Sequence, residues 1–318
     1  MSVRVGRRSF LAAAPAGALW AAGCRSTTDA PIDPRKASAE ARGIAQVVAA
    51  QQTKDGAGVA LGRTIGSRAL PLLDPFLMLD EIRSDSPGDY LKGFPDHPHR
   101  GFETVTIMID GAMEHRDSVG NHGRLAPGSV QWMTAGRGII HSEMPKQESG
   151  LLWGFQLWVN LPRRLKMTAP RYQDIQRPDV PETSLAGGPT RVLAGSAADI
   201  RGPVEGIVVR PTMLDVTFAP GARLELEVAP AHNGFVYLLS GSLDAGPEAR
   251  RITPRELGVL GTGSTFVATA GGDGARALVV SAEPIGEPIA RRGPFVMNTE
   301  DELQRAFDDY RAGRLTDG

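Results

Sequence analysis

Along most of this chain apolar and polar residues alternate with the period of two expected of a half-buried strand. Leu151, Trp153, Phe155, Leu157 and Val159 alternate with Leu152, Gly154, Gln156 and Trp158, a strong strand in which Trp153 and Phe155 read as core. Residues 102–109 are rich in Val, Ile and Thr and stop at Asp110-Gly111, a turn signal. Leu125-Ala126-Pro127-Gly128 marks a second turn. Residues 72–81 are apolar with Pro75 inside them, a pattern that fits an edge strand or a strand–loop junction better than a helix. Later in the chain, residues 224–228 alternate cleanly, 235–239 run into Ser240-Gly241-Ser242, and 257–268 and 277–280 add further strands. Only the end changes period. Thr299 with Glu302 forms a capping box, Leu303, Ala306, Phe307 and Tyr310 form one helical stripe, and Gly313 supplies the stop.

The chain has 318 residues, room for two domains, with 41% hydrophobic residues for their cores. Its 38 glycines and 24 prolines supply many turns, so the expected class is all-β, as two similar antiparallel barrels with a short terminal helix. The first barrel is assigned to residues 44–165, a polar connection to 166–189, and the second barrel with the helix to 190–318. A formal net charge of −1 with no basic face argues against nucleic acid as a partner. A single cysteine excludes an intrachain disulfide framework.

Residues 1–23 read as an export signal. Arg7-Arg8-Ser9-Phe10-Leu11 opens a short Ala-rich apolar run, the pattern of a twin-arginine leader and not of a membrane span. Ala21-Ala22-Gly23-Cys24 is similar to a bacterial lipoprotein processing site, with Ala21 in place of the usual Leu. The expectation is an exported, periplasmic or membrane-anchored protein, attached through a lipidated Cys24 and followed by a flexible tether over 24–43.

The chemistry concentrates at His97-Pro98-His99 and at His141-Ser142-Glu143. Side chains i and i+2 of a strand share a face. Two facing strands inside a barrel would therefore converge three imidazoles and one carboxylate on one point. That ligand set suits a redox-active ferrous ion and leaves positions open for substrate or oxygen, although zinc and nickel accept the same atoms. The expected site is a metal held by His97, His99, His141 and Glu143. Glu114, His115 and His122 lie between the two clusters and read as a surface loop. His232 stands alone in the second half and reads as structural; Arg291-Arg292 reads as a solvated or ion-paired turn.

Four stretches resemble the pirin family: His97-Pro98-His99-Arg100-Gly101-Phe102-Glu103-Thr104-Val105, residues 131–145, residues 73–81, and Gly293-Pro294-Phe295-Val296-Met297-Asn298-Thr299. The resemblance covers nearly everything after about residue 44; the leader is the departure from it. It implies a bicupin fold with one iron in the N-terminal barrel, bound by His97, His99, His141 and Glu143, and a quercetin 2,3-dioxygenase activity reported for some members, hence O2 and a small aromatic or enolic substrate as partners. A transcription-regulating role described for eukaryotic members transfers poorly to an exported protein. General cupin patterns would place the carboxylate ligand at Glu103, four residues after His99. The pirin pattern prefers Glu143, which leaves Glu103 as a carboxylate holding an imidazole N–H near the reaction centre. The same ligands would also serve a non-catalytic, iron-dependent redox-sensing or protein-binding module, or a scaffold that carries metal for stability alone.

Overall fold

The β-branched run after Gly101 becomes the strand Phe102–Asp110, in a computed structural model that describes residues 40–317. The export signal, Cys24 and the tether up to residue 39 lie outside the described residues. Phe102–Asp110 sits in the middle of a seven-stranded sheet with the order Arg171–Ile175, Val130–Thr134, Phe102–Asp110, Leu152–Asn160, Phe76–Ser84, Val59–Arg63, Gln51–Asp55. A four-stranded sheet, ordered Phe94–His99, Ile139–Pro145, Met113–Asp117, His122–Leu125, closes over its inner face. Met108, Met113, Leu125 and Leu152 pack between the two. A ten-stranded sheet, with Asn233–Ala245 and Thr265–Ala282 at its centre, forms the second barrel. The chain is thus an all-β bicupin with one short C-terminal helix.

The strand Leu152–Asn160 shows why the site can lie deep. It pairs with Phe102–Asp110 on one side and with Phe76–Ser84 on the other. Phe155, Leu157 and Val159 face the second barrel and share a buried cluster with Phe235 and Tyr237. Gln156 and Trp158, on the opposite face, point into the first barrel. The alternation suggested a half-buried strand, but both faces are covered, one by each barrel. Phe155 is core as expected, whereas Trp153 is only partly buried, with the Arg83 guanidinium 4.1 Å from its ring. Phe76–Ser84 is likewise internal and not an edge strand, because Pro75 stands just before it and takes no ladder donor away.

Glu81 lies on the face toward the second barrel. Its Oε1 accepts from Trp153 Nε1 (3.0 Å) and its Oε2 from Tyr237 Oη (3.0 Å) and Arg255 Nε (2.8 Å). One carboxylate thus ties two barrels together.

The strand partners cross the divisions drawn from the sequence. Ile44–Ala49 pairs with Glu256–Leu260 in the second barrel. Within the stretch read as tether, Arg42 is only 1% exposed and donates to the carbonyls of Ala229 (2.6 Å), His232 (2.9 Å) and Gly261 (3.0 Å). In the connection over 166–189, Arg171–Ile175 joins the first sheet beside Val130–Thr134, and Glu182–Ser184 joins the second. Alternation identifies a strand but not its neighbour.

The helix Glu300–Arg311 begins at the expected capping box, with Thr299 and Glu302 each satisfying the other's backbone N–H. Leu303 and Ala306 are buried with Phe295. Gly313, at φ +70°, adopts the left-handed conformation that ends the helix.

Candidate metal centre

His97 and His99 lie on Phe94–His99, and His141 lies on the antiparallel strand Ile139–Pro145, with His141 directly opposite His97. The His97–His141 ring centroids are 4.3 Å apart, His97–His99 4.7 Å and His99–His141 4.9 Å. Among the described residues this trio is the one group of His, Cys, Asp or Glu whose ligand atoms all lie within 4.8 Å of one another.

The hydrogen bonds of the rings fit them for a metal. His97 Nδ1 donates to the Pro95 carbonyl (2.8 Å) and His99 Nδ1 to the Pro294 carbonyl (3.4 Å). His141 Nδ1 meets His115 Nδ1 at 3.5 Å. Engaging Nδ1 leaves Nε2 as the free lone pair. Nε2 of His99 and of His141 are buried with no partner, a costly arrangement that a cation would relieve. Burial, first, and the neighbouring imidazoles, second, push the His99 and His141 pKa values well below the ordinary 6.5, so both rings stay neutral ligands.

A cavity of ≈ 790 Å³ opens in front of His97 and His99, walled by Leu61, Met78, Ile82, Phe94 and Trp158, with Gln156, Arg63, Asp80 and Arg291 among its polar groups. Trp158 stacks on Phe102 (4.2 Å) and presents an edge to His99 (5.1 Å between centroids).

Glu143 is 2% exposed on the same strand as His141. Its Oε2 accepts from Gln156 Nε2 (2.6 Å) and its Oε1 from Thr106 Oγ1 (3.1 Å). It lies behind Gln156, which lines the cavity, and stands outside the tight histidine trio. The polar partner of the apolar alternation, Gln156, is what connects it to the cavity wall.

Glu103 goes elsewhere. The count of four residues from His99 assumed one continuous strand, but Gly101 intervenes at φ +89°, and a Cβ there would collide with the Val296 carbonyl. The turn resets the alternation. Phe102 and Thr106 face the histidines, whereas Glu103 shares its parity with Val105 and Ile107, which face the second barrel. Glu103 accepts from Thr134 Oγ1 (2.7 Å), not from an imidazole, and burial raises its pKa from 4.5 to about 7. A raised folded-state pKa favours the protonated acid. The stabilisation is therefore full below about pH 4.5 and is lost as pH rises through about 7. Glu103→Gln keeps the acceptor for Thr134 and removes the titration. Urea midpoints of the metal-free variant at about pH 5 and about pH 8 should differ less than those of the parent, with metal content unaltered.

The residues read as a surface loop divide. Glu114 and His122 sit on paired strands at the surface, where Lys146 first and His122 second hold the Glu114 carboxyl down to about 2. His115 is fully buried on Met113–Asp117 behind the His141 ring. When His141 donates through Nδ1 to His115 Nδ1, the Nε2–H of His115 faces Asp117 Oδ2 at 3.6 Å. That chain orients a ligand from behind. The charged neighbours Glu114, Arg116 and Asp117 masked His115 in the sequence. His232 lies in the second barrel, its carbonyl taken by Arg42. Arg291 and Arg292 lie on the strand Ala290–Arg292 and are solvent-exposed, as one of the two expected alternatives had it, and neither is ion-paired among the described residues; Arg291 also lines the cavity, with its guanidinium 4.7 Å from the Trp158 ring centroid.

Known proteins agree with this geometry. Residues 58–159 match the pirin domain, and 213–316 match the pirin C-terminal cupin domain. A pirin-like protein of Caulobacter vibrioides is 45% identical over 277 residues, which cover 86% of this chain and 99% of that one. The crystal structure of a quercetin 2,3-dioxygenase from Acinetobacter baumannii superposes with a TM-score of 0.80 at 33% identity, covering 86% of this chain and 98% of that one. A nickel(II)-bound bacterial pirin of Escherichia coli shares the fold, with a TM-score of 0.60 at 16% identity over 75% of this chain and 98% of that one. Two cupin barrels, a histidine trio confined to the first of them, and these matches along both halves place the chain in the pirin family.

Proposed function

We propose that this chain is a metal-dependent dioxygenase that holds one Fe(II) on the Nε2 atoms of His97, His99 and His141, with Glu143 as the carboxylate of the set, and acts on a planar phenolic or enolic compound of the quercetin type. The observation that carries the reading is the trio itself: two buried Nε2 atoms without partners beside a third imidazole, with His97 and His99 in the wall of a cavity large enough for such a substrate. The relationship to a quercetin 2,3-dioxygenase at 33% identity supports the substrate class. The donor set also accepts zinc or nickel, because affinity alone does not select iron.

A bound ferrous ion would supply the redox chemistry with O2 and acidify a substrate hydroxyl. The protein's own contributions follow from the walls. Leu61, Met78, Ile82 and Phe94 exclude water and accept a flat ring. Trp158, clamped between Phe102 and Arg291, fixes the cavity's width beside His99. Glu143 offers the carboxylate oxygen that can take the substrate's hydroxyl proton, and Thr106 and Gln156 hold it toward the histidines.

The test is aerobic oxygen uptake by protein of known metal content with quercetin and with simpler phenols. Uptake in step with iron content is the expected result. Metal-bound protein that consumes no oxygen with any of them would refute the enzyme reading and leave a metal-dependent binding module. Export through the leader, with Cys24 as the processed and lipidated residue, belongs to the same proposal. It rests on the Arg7-Arg8 pair and the small residues before Cys24, and cell fractionation tests it.

A further inference from the structure

Two arginines line the cavity, and their circumstances differ. Arg63 is neutralised. Its Nε and Nη2 each meet an oxygen of Asp80 at 2.7 Å, and Nη2 also reaches Asp55 at 3.0 Å. Arg291 has no such partner. It donates to the Leu77 carbonyl (3.0 Å) and toward Met78 Sδ (3.4 Å), and its guanidinium lies 4.7 Å from the Trp158 ring centroid. Among the described residues no carboxylate ion-pairs with it. Asp55 and Asp80 are occupied by Arg63, and Asp96, the third acid of the cavity wall, stands next to His97 in the chain. Arg291 is therefore a cation with a fixed seat and an unspent charge. Two contacts and an aromatic face hold the side chain in place, so little ordering remains to be done when an anion arrives.

We infer that Arg291 forms an oxyanion subsite at the wall of this cavity, and that the substrates it favours are planar aromatic or enolic acids carrying a carboxylate. A guanidinium matches a carboxylate in geometry through two parallel N–H donors. Trp158 links the two ends of such a ligand: its ring lies 5.1 Å from the His99 ring on one side and carries Arg291 on the other. A compound with its hydroxyl or enol group at the histidines can extend past the edge of Trp158 toward Arg291. The inference rests on the cavity being the substrate site proposed above. It narrows that proposal from any flat phenol to the anionic ones.

The test uses 3,4-dihydroxybenzoate and its neutral amide, 3,4-dihydroxybenzamide, titrated calorimetrically into metal-free and zinc-loaded protein. The acid should bind at least about tenfold more tightly than the amide in both forms, the scale of one charge-assisted pair, and the preference should shrink as salt is raised. Arg291→Gln should erase the preference, read as the acid-over-amide ratio within the variant itself. Arg291→Lys should restore part of it. Equal affinities for acid and amide in the parent protein, or no measurable binding of the acid to the metal-free form, would overturn the subsite. So would a preference that survives in Arg291→Gln. If zinc tightens neither probe, it is the metal-centred reading that fails, and the acid-over-amide ratio still judges Arg291.

Discussion

His141→Ala leaves a folded protein that no longer retains a metal ion. His141 is the trio member that joins the two site strands, standing opposite His97 and within 4.9 Å of the His99 ring. Its removal leaves two imidazoles and a carboxylate already occupied by Thr106 and Gln156. Loss of an outer partner of a ligand typically weakens binding about 10–100-fold, so loss of the ligand itself should cost more than about 100-fold. His115→Phe, which removes only the group behind His141, should fall in that lower range. Metal content by mass spectrometry after dialysis, with titration of a chromophoric chelator, separates the two. In the metal-free fold His141→Ala removes an unpaired buried Nε2 but also a buried ring and its Nδ1 contact with His115, so a moderate loss of stability should accompany the loss of metal. Full metal retention in His141→Ala would break the assignment of the centre.

Glu81→Ala should be the most damaging single change to the fold. The carboxylate is completely buried and receives three donors, two of them, Tyr237 and Arg255, from the second barrel. Truncation strands the Tyr237 hydroxyl, which is 0% exposed, together with the Trp153 N–H. Breaking a buried pair by deleting one member costs about 3–5 kcal/mol. Arg255 is 38% exposed and can be rehydrated, which favours the lower end, about 3 kcal/mol. Glu81→Gln keeps one of the two acceptor oxygens without the charge and should lose less, about 1–2 kcal/mol. Urea unfolding with an unchanged slope and a lowered midpoint is the measure. Since Glu81 faces away from the cavity, metal content should hold in both variants, in contrast to His141→Ala.

These residues also show what can be read from a chain of this kind. The histidine trio was legible because His97 and His99, two apart, and His141 all fall inside strands, where spacing translates directly into direction. The same rule misplaced Glu103, because a single left-handed glycine at 101 reset the alternation between His99 and Phe102. His115 escaped because Met113–Asp117 is mostly polar and reads as a loop, and its cover comes from remote residues, His141 on the neighbouring strand and Tyr172 on the facing sheet. Arg291 escaped for a different reason. Its surroundings, Leu77, Met78 and Trp158, are far away in sequence, and no local pattern marks a residue whose partners are all remote. The alternation of 151–159 was read correctly as a strand, yet its polar side proved to be the wall of the cavity, because a second barrel already covers its apolar side.

The carbonyl that orients His99 belongs to Pro294, 195 residues further along. The buried ammonium of Lys166 binds that same late segment at Val296 (3.0 Å) to the early turn at Gly101 (2.8 Å). A nascent chain whose first barrel has emerged from the ribosome thus still lacks one wall of the cavity beside His97 and His99. The setting of His99 therefore depends on a segment that follows the strands of the second barrel, so shortening the chain before Pro294 should loosen the histidine trio even with both barrels in place.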